Sequence, residues 1–304
     1  MKKTINSTTT TFGQCSATVI SYSHFDGTPP LITMELVYPR YIHSELMTHR
    51  MFSRNAMSSR ATPVDVMLKE ISMHPVFPHK VFKNKAGMVG GEEITNEVLK
   101  DKIIGKWFES METALDCAKA MNDMGAHKQH INRLLEPFSF IKVIVTATDW
   151  DNFFNLRLAS DAQPEIQDLA RAIKSAQTEA NMQAQLIKYG VISYGDVVTD
   201  NYTECVIHCP YVSMKDIEEN KMNAGQVALV SSARCARVSY LTHKGKVPTY
   251  EEDIALASKL LESHHMSPFE HCAMRSNDLD ENSYYYNLRG WMSYRYLFDK
   301  HIKL

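Results

Sequence analysis

The segment Thr48–Arg60, THRMFSRNAMSSR, concentrates side chains that could bind an anionic ligand. It holds three arginines, one histidine, three serines and one asparagine within thirteen residues. The flanking segments, YIHSELM and PVDVMLKEI, are apolar enough to belong to a protein core. Guanidinium groups match the geometry of phosphates, and phosphates are also favoured at helix ends. The segment is therefore either a phosphate site or an ordinary helix with a wet face and internal salt bridges.

Three further segments carry side chains of the same kind. Arg133 in NRLLEPF precedes the most strand-like run of the chain, and Asn152 and Arg157 in NFFNLRLASDAQPEI follow that run. A third segment, HHMSPFEH, gathers His264, His265, Ser267, Glu270 and His271. Each segment alone also has a structural interpretation. Arg157 could pair with Asp161 one helical turn later, and SPFEH could be a capped turn that enters a helix.

Taken together, these segments resemble the flavin-dependent thymidylate synthases. The signature of that family reads Arg-His-Arg, two residues, Ser, one residue, Asn-Glu, one residue, Ser, one residue, Arg. The residues of this chain that fit the signature are His49, Arg50, Ser53, Asn55, Ser58 and Arg60. The segments NRLLEPF, NFFNLRLASDAQPEI, CARVSY and HHMSPFEH are similar to four more family elements, and the five elements span much of the chain.

The order of the elements differs from that of the family. In the family, the Ala-Arg-Val-Ser and Pro-Phe-Glu-His elements precede the signature, whereas here they follow it, at Ala236–Ser239 and Pro268–His271. This order resembles a circular permutation, which proteins tolerate when their termini lie near each other at the surface. LITMELVYPRYIHSELMTHR would then be the family's strand and helix, preceded here by an added strand.

Several positions also depart from the family's residues. Thr48 replaces the first arginine of the signature, Ala56 replaces its glutamate, and Glu45 stands where a glutamine is usual. Thr146 and Thr148 stand where the family has Asn-x-Arg for the flavin. We therefore expect FAD to be held more loosely than in the family, unless Arg289 or Arg295 near the C-terminus supplies a guanidinium.

The resemblance implies a reaction that depends on cofactors for its chemistry. In the family, 5,10-methylenetetrahydrofolate gives a one-carbon unit, reduced FAD accepts it and supplies hydride, and NADPH reduces the flavin. The acceptor is carbon 5 of dUMP, and the product is dTMP. The family works as a homotetramer whose sites combine residues of several subunits, and we expect the same assembly here.

The resemblance also implies individual roles. For catalysis it points to Arg157, which would stabilise negative charge on the uracil ring, and to His265, which would meet folate and flavin. The residues expected to bind the substrate, with its phosphate on the arginines and serines, are Glu45, Ser58, Ser59, Arg60 and Arg133. The residues expected to line the cofactor are His49, Arg50, Asn55, Thr146, Thr148, Asn152, Ser239, Ser267 and Glu270.

Three alternatives stay open. The altered flavin positions would suit a diverged enzyme that transfers a hydroxymethyl group without the reductive step, to dUMP or to another pyrimidine such as dCMP. A protein that binds nucleotide or flavin without catalysis would also retain these residues. An unrelated fold would require the matching segments to be coincidental.

Composition excludes several classes of protein. The 304 residues carry 33 basic and 35 acidic side chains, so no global positive field attracts nucleic acid. No apolar run reaches the roughly 18 residues of a membrane span, and the N-terminus lacks the apolar centre of a signal peptide. The six scattered cysteines favour reduced thiols and a cytoplasmic location. CVIHCP lacks a second ligand cluster, so we expect no metal.

The hydrophobic pattern predicts one α+β domain over residues 1–304, with helices around an antiparallel sheet. A hairpin is expected over 16–39 and a buried strand over 139–148. Helices are expected in the signature segment and in two segments after residue 223. Further helices are expected over residues 64–73, 96–124, 150–158, 164–187 and 282–302. The stretch 189–223 has no clear period, which predicts irregular structure.

Overall fold

The chain was analysed as a computed structural model, which describes residues 8–186, 205–238 and 248–301. Its strands are β1 (Thr9–Phe12), β2 (Cys15–Ser23), β3 (Leu31–Pro39), β4 (Ser53–Ala56), β5 (Phe140–Ala147), β6 (Cys205–His208), β7 (Ala273–Ser276), β8 (Tyr284–Tyr285), β9 (Leu288–Arg289) and β10 (Met292–Ser293). Its helices are α1 (His43–Met47), α2 (Val64–Met73), α3 (Glu97–Asp123), α4 (Lys128–Leu135), α5 (Asp151–Arg157), α6 (Pro164–Leu186), α7 (Met214–Asn220), α8 (Ala224–Ala236), α9 (Tyr250–Glu262) and α10 (Tyr294–His301).

The main sheet is antiparallel, with the strand order β1-β2-β3-β5-β4. The two strands at its centre, β3 and β5, are buried along almost their whole length, because both faces of the sheet are covered. Helix α6 packs across β1, β2 and β3 on one face, where Leu169 and Ile173 enter the largest core. The fold class predicted from the sequence, helices around an antiparallel sheet, is confirmed.

The opposite face of the sheet carries a smaller layer. A three-stranded sheet of order β10-β7-β6 lies there with α8 and α9. Residues of both sheets meet, since His208 on β6 hydrogen-bonds to Ser23 on β2 and to Thr33 on β3. Trp291 is fully buried and donates its Nε1–H to Pro29 O at 2.9 Å, which fastens the C-terminal segment to the β2–β3 connection.

A third layer of helices flanks the signature. Helices α2, α3 and α4 share an apolar core that includes Ile71, Leu115 and Ile131. The side chain of Asn96 accepts a hydrogen bond from Leu99 N and so caps the start of α3. None of the helices in the described ranges is long and apolar enough to cross a membrane.

Several elements predicted from the sequence are confirmed, and three are not. The hairpin is β2–β3, the buried strand is β5, and Pro164 opens α6. The helix expected through the signature is wrong beyond Met47, because Ser53–Ala56 pairs with β5 as a strand. Irregular structure is wrong for the described part of 189–223, which forms β6 and α7. The C-terminal segment is helical only from Tyr294.

Candidate active site

Arg157 ends α5 and closes over the C-terminal end of α1. Its Nε donates to His49 Nε2 at 2.9 Å, and its Nη2 donates to Thr48 Oγ1 at 2.9 Å and to Glu45 O at 3.3 Å. A cation at this place also suits the negative end of the helix dipole. The contacts join three predicted site residues, Arg157, His49 and Glu45, and add Thr48, which stands at the position of a lost arginine.

His49 holds Arg157 without neutralising it. The histidine is 6% exposed, and burial, followed by the charges of Arg157 and Arg54, lowers its pKa to about 4. At neutral pH the ring is therefore uncharged, and its Nε2 accepts the hydrogen bond while Nδ1 carries the proton. Within the described ranges, no ion pair or hydrogen bond joins Arg157 to a carboxylate, that of Asp161 included. The guanidinium thus keeps an uncompensated positive charge at the partly exposed end of α5.

Residues expected to bind phosphate lie on a tight turn beside α4. Ser59 O accepts a hydrogen bond from Asn132 Nδ2 at 2.7 Å, which fixes this turn on the helix that also carries Arg133. Arg60 is exposed on the turn, and Ser58 precedes it with an extended backbone. Arg133 is 60% exposed at its side chain and pairs with Glu136 at 2.9 Å. Both guanidinium groups are therefore accessible to a phosphate.

The SPFEH segment lies against the signature, more than two hundred positions away in sequence. The short helical turn Ser267–Glu270 packs beside β4, and His271 Nδ1 lies 2.8 Å from Thr146 Oγ1 on the neighbouring β5. The structure therefore brings together two segments that the resemblance places in one site. His265, two residues before this turn, is exposed, and its backbone N–H ends α9 by a hydrogen bond to Leu260 O.

A buried row of hydroxyl and imidazole groups crosses the main sheet. The register aligns Thr33, Thr146 and Ser53 on β3, β5 and β4. Thr33 Oγ1 lies 2.6 Å from Thr146 Oγ1 and 2.7 Å from His208 Nε2. Burial lowers the pKa of both His208 and His271 to about 3, so the row is uncharged. Within the described ranges, His271 Nε2 is buried without a hydrogen-bond partner.

The hydroxyl groups of the two threonines at the altered flavin positions are hydrogen-bonded to other protein groups. Thr146 is fully buried, and its hydroxyl lies between Thr33 and His271. Thr148 Oγ1 donates to Asp149 Oδ2 at 2.7 Å and accepts the backbone N–H of Arg289 at 3.1 Å. Both hydroxyls are therefore already hydrogen-bonded within the protein. Arg289 itself pairs with Asp149 at 3.0 Å.

The remaining residues predicted for the cofactor are dispersed. Asn152 is exposed near the start of α5, and Arg50 is exposed after α1. Asn55 is 9% exposed, and its Nδ2 donates to Cys235 O at 2.9 Å, so it ties β4 to α8. Ser239 lies outside the described residues.

A cavity of about 470 Å³ opens between β4, the Ser267–Glu270 turn and the C-terminal segment. Its volume is within the range of small-ligand sites. Its lining residues are Ser53, Glu270, Tyr286, Asn287, Leu288, Ser293 and Arg295. A larger groove of about 660 Å³ along α6 contains none of the predicted site residues.

Most of this lining was not predicted from the sequence. Ser53 and Glu270 belong to the recognised segments, and Arg295 was considered as a replacement guanidinium. Tyr286, Asn287 and Ser293 were missed because the segment was taken for one helix. The two-residue turn Tyr286–Asn287, with an asparagine suited to a tight hairpin, was the available signal.

The donor set of this cavity suits a heterocyclic ligand better than a metal ion. Among the described residues, no group of three His, Cys, Asp or Glu side chains is arranged to hold a metal. The five cysteines whose side chains are described carry free thiols, four of them buried. The cavity instead offers hydroxyl, amide, carboxylate and guanidinium groups beside the ring of Tyr286, a mixture that can fix the orientation of a heterocyclic ligand.

Comparisons with known proteins give two findings. The profile of the family described as Thy1, thymidylate synthase complementing protein, matches residues 29–180, half of the chain. Among solved structures, a UMP/dUMP methylase, PolB from Streptomyces cacaoi bound with 5-Br UMP, matches with a TM-score of 0.38 and 16% identity, over 50% of this chain and 70% of that one. No curated protein matches the sequence.

Proposed function

The chain belongs to the thymidylate synthase complementing protein family, and we propose that it transfers a one-carbon unit from 5,10-methylenetetrahydrofolate to carbon 5 of dUMP, giving dTMP. The matched residues include the signature, Arg133 and the whole of α5 with Arg157. A uracil nucleotide as substrate and a nucleotide-modifying transferase as enzyme class agree with this family.

The observation that carries the proposal is the state of Arg157. Carbon 5 of uracil becomes more nucleophilic when negative charge on the pyrimidine ring is stabilised. Arg157 is held at three acceptors by neutral partners, His49, Thr48 and the Glu45 carbonyl, and so retains its full charge for a ligand. A preorganised cation of this kind stabilises charge that develops during the reaction.

The other residues would orient the two ligands. Arg60 and Arg133, with Ser58 and Ser59, would hold the phosphate of dUMP, and Glu45 would contact the nucleotide near Arg157. His49, Arg50, Asn55, Asn152, Ser239, Ser267 and Glu270 would line FAD, with His265 near folate. When bound, FAD reduced by NADPH supplies the hydride that completes the methyl group.

The order of the recognised segments supports a circular permutation. The matched region begins at residue 29 and excludes CARVSY and SPFEH, which lie at the C-terminal side. In three dimensions the SPFEH turn nevertheless packs on the signature strand β4. We infer that the family's N-terminal elements have moved to the end of this chain while keeping their place in the fold.

A specific observation favours a second candidate, transfer of a hydroxymethyl group to dUMP or dCMP without reduction. Thr146 and Thr148 replace the amide and guanidinium that the family directs at the flavin, and both hydroxyls are engaged inside the protein. A weakened flavin site would leave the one-carbon transfer without its hydride.

The mass of the nucleotide product tests the proposal. Purified protein is incubated with methylenetetrahydrofolate, FAD and either dUMP or dCMP, with and without NADPH. We expect a methylated product from dUMP that requires NADPH. A hydroxymethylated product that is independent of NADPH would establish the second candidate, and unaltered nucleotide in all reactions would contradict both candidates.

A further inference from the structure

We propose that Arg54 is a positioning residue, which holds the end of α1 in the conformation that orients Arg157. The inference rests on the proposed function and extends it to a position that the family signature leaves unspecified, between its serine and its asparagine. Arg54 would act on the reaction through Arg157 and would not touch a ligand itself.

The end of α1 needs a donor from elsewhere in the protein, because a helix cannot satisfy its own last carbonyl groups. The helix has only five residues, and among the described residues no backbone N–H donates to Met47 O. Arg54 supplies a donor from β4, since its Nη1 donates to Met47 O at 2.8 Å. The same nitrogen lies 3.1 Å from His49 O and 3.5 Å from Leu46 O.

Two guanidinium groups divide the acceptors of this short segment between them. Arg54 takes backbone carbonyls, whereas Arg157 takes the hydroxyl of Thr48 and the imidazole of His49. The third acceptor of Arg157 is Glu45 O, in the last turn of the same helix. The backbone that Arg54 holds therefore carries every group that orients Arg157, and a displacement of this backbone would move those groups.

The charge of Arg54 acts in the same direction as its hydrogen bonds. Burial lowers the pKa of His49 to about 4, and the charges of Arg157 and Arg54 add to this effect. Only the neutral imidazole can accept a hydrogen bond from Arg157 Nε, because both ring nitrogens of a protonated histidine are donors. Arg54 thus favours the form of His49 that binds Arg157.

A double-mutant cycle tests whether Arg54 acts through Arg157. Arg54→Gln, Arg157→Lys and the double variant are compared in dTMP formation, and dUMP affinity is measured separately. We expect Arg54→Gln to lower turnover by about 10², the scale of a displacement of about 1 Å, while dUMP affinity changes by less than about threefold. In the Arg157→Lys background the same change should cost less than about twofold, because the two residues act as a unit. An equal loss in both backgrounds would overturn the inference.

Two further variants separate positioning from a general loss of stability. All three carbonyl contacts of Arg54 come from one nitrogen, so the ammonium of Arg54→Lys, with three donors, should restore most of the turnover. Arg275→Gln is the control, because Arg275 also donates its Nη1 to a backbone carbonyl, that of Leu279, but lies on β7 beside Phe25. The control should unfold at lower urea concentration and keep wild-type turnover.

The Nε–H of Arg157 gives a readout that needs no reaction. In protein with isotope-labelled arginine, this N–H is the NMR signal that Arg157→Lys lacks, and its exchange with water is measured. We expect Arg54→Gln to speed the exchange by about tenfold, the scale of one lost hydrogen bond, and Arg275→Gln to leave it unchanged. Unchanged exchange in Arg54→Gln would overturn the inference. Wild-type protein that forms no one-carbon product from dUMP would instead remove the proposed function, and the exchange rates would still decide whether Arg54 positions Arg157.

Discussion

At the scale of single residues, the proposed site surrounds one cation, Arg157, with groups that stay uncharged. His49 would compete with Arg157 for negative charge if it were protonated, and burial prevents this by holding its pKa near 4. Thr48 plays a similar part, because its hydroxyl accepts from Arg157 where the family has another arginine. The guanidinium of Arg157 is therefore oriented by neutral acceptors, and in the proposed reaction it would face the ligand.

Replacing Arg157 by lysine should separate binding from turnover. Lysine keeps the positive charge but lacks the planar fork that reaches His49 and Thr48 together. We expect Arg157→Lys to bind dUMP within about tenfold of wild type and to lose turnover by about 10²–10³, the scale for one preorganised donor. Binding titrations and initial rates measure the two effects. Near-normal turnover of the variant would show that Arg157 has a structural role and not a catalytic one.

Removing the guanidinium of Arg60 should weaken the nucleotide specifically. Arg60 is exposed on the turn beside α4, so truncation should leave the fold unchanged. We expect Arg60→Ala to weaken dUMP binding by about 1.5–3 kcal/mol, the scale of a charge-assisted hydrogen bond to phosphate. Deoxyuridine, which lacks the phosphate, should bind both proteins equally. Equal dUMP affinity in the two proteins would show that Arg60 does not contact the phosphate.

The sequence predicted which residues belong to the candidate site more completely than it predicted their hydrogen-bond partners. The types and spacing of His49, Arg60 and Arg157 indicated an anion site and a family. The partners of Arg157 could not be predicted, because they depend on how α5 closes over the end of α1. The engagement of Thr146 by His271 was equally hidden, since the two residues lie 125 positions apart.

At the scale of elements, β5 joins the parts of the site. It pairs with β3 on one side and with the signature strand β4 on the other, and α5 follows its C-terminal end. A hydrogen bond between Thr146 and His271 extends this arrangement to the SPFEH turn. The strand was evident from its apolar run. The change from helix to strand within the signature was not, because β4 has only four residues and its pairing partner lies far along the chain.

The buried histidines between the two sheets should make stability depend on pH. In the folded protein, burial holds the pKa of His208 and His271 near 3, below the 6.5 of a free histidine. The unfolded chain therefore binds more protons between these values, and the free energy of unfolding falls as pH falls below 6.5. Each histidine should remove about 2 kcal/mol between pH 7 and pH 5.

His271→Gln tests this expectation, since glutamine can bond to Thr146 without titrating. Urea unfolding of the variant should lose about 2 kcal/mol less between pH 7 and pH 5 than unfolding of the wild type. His130→Gln, at an exposed position on α4, is the matched control. An unaltered pH dependence in the His271 variant would mean that this histidine is not kept neutral by burial.

At the scale of the whole molecule, the resemblance implies that other copies of the chain complete the proposed site. Met47, Met51 and Leu156 are 43%, 39% and 52% exposed around the end of α1 and α5, close to Arg157. Exposed apolar side chains at a polar site are typical of surfaces that another protein covers. The tetramer implied by the resemblance would cover them and would combine residues from different subunits.

Complementation between inactive variants tests this assembly. If Arg60 and Arg157 of one site come from different subunits, mixed oligomers of Arg60→Ala and Arg157→Lys contain some sites with both native residues. We therefore expect partial recovery of turnover after the two variants are unfolded and refolded together. Refolding each variant alone is the control. No recovery in oligomers shown to be mixed would place both residues in the same subunit.

The architecture of the chain was only partly accessible from its sequence. The predicted single domain over 1–304 and the circular permutation stay predictions, whereas the sheet and its helices are confirmed. The C-terminal segment 282–302 was predicted to be a helix, whereas only Tyr294–His301 is helical. The burial of Trp291 against Pro29, which anchors that segment beside the site, is a contact across 262 positions that local pattern cannot reveal.

Anaerobic reoxidation of the flavin tests the central claim most directly. Protein loaded with FAD is reduced with NADPH, freed of excess NADPH, and mixed without oxygen with dUMP, with methylenetetrahydrofolate, or with both, while flavin absorbance is followed. We predict that oxidised flavin returns only when both compounds are present, in amounts equal to the dTMP formed. Flavin that stays reduced in the presence of both, while a one-carbon product of dUMP accumulates, would contradict the proposed hydride transfer.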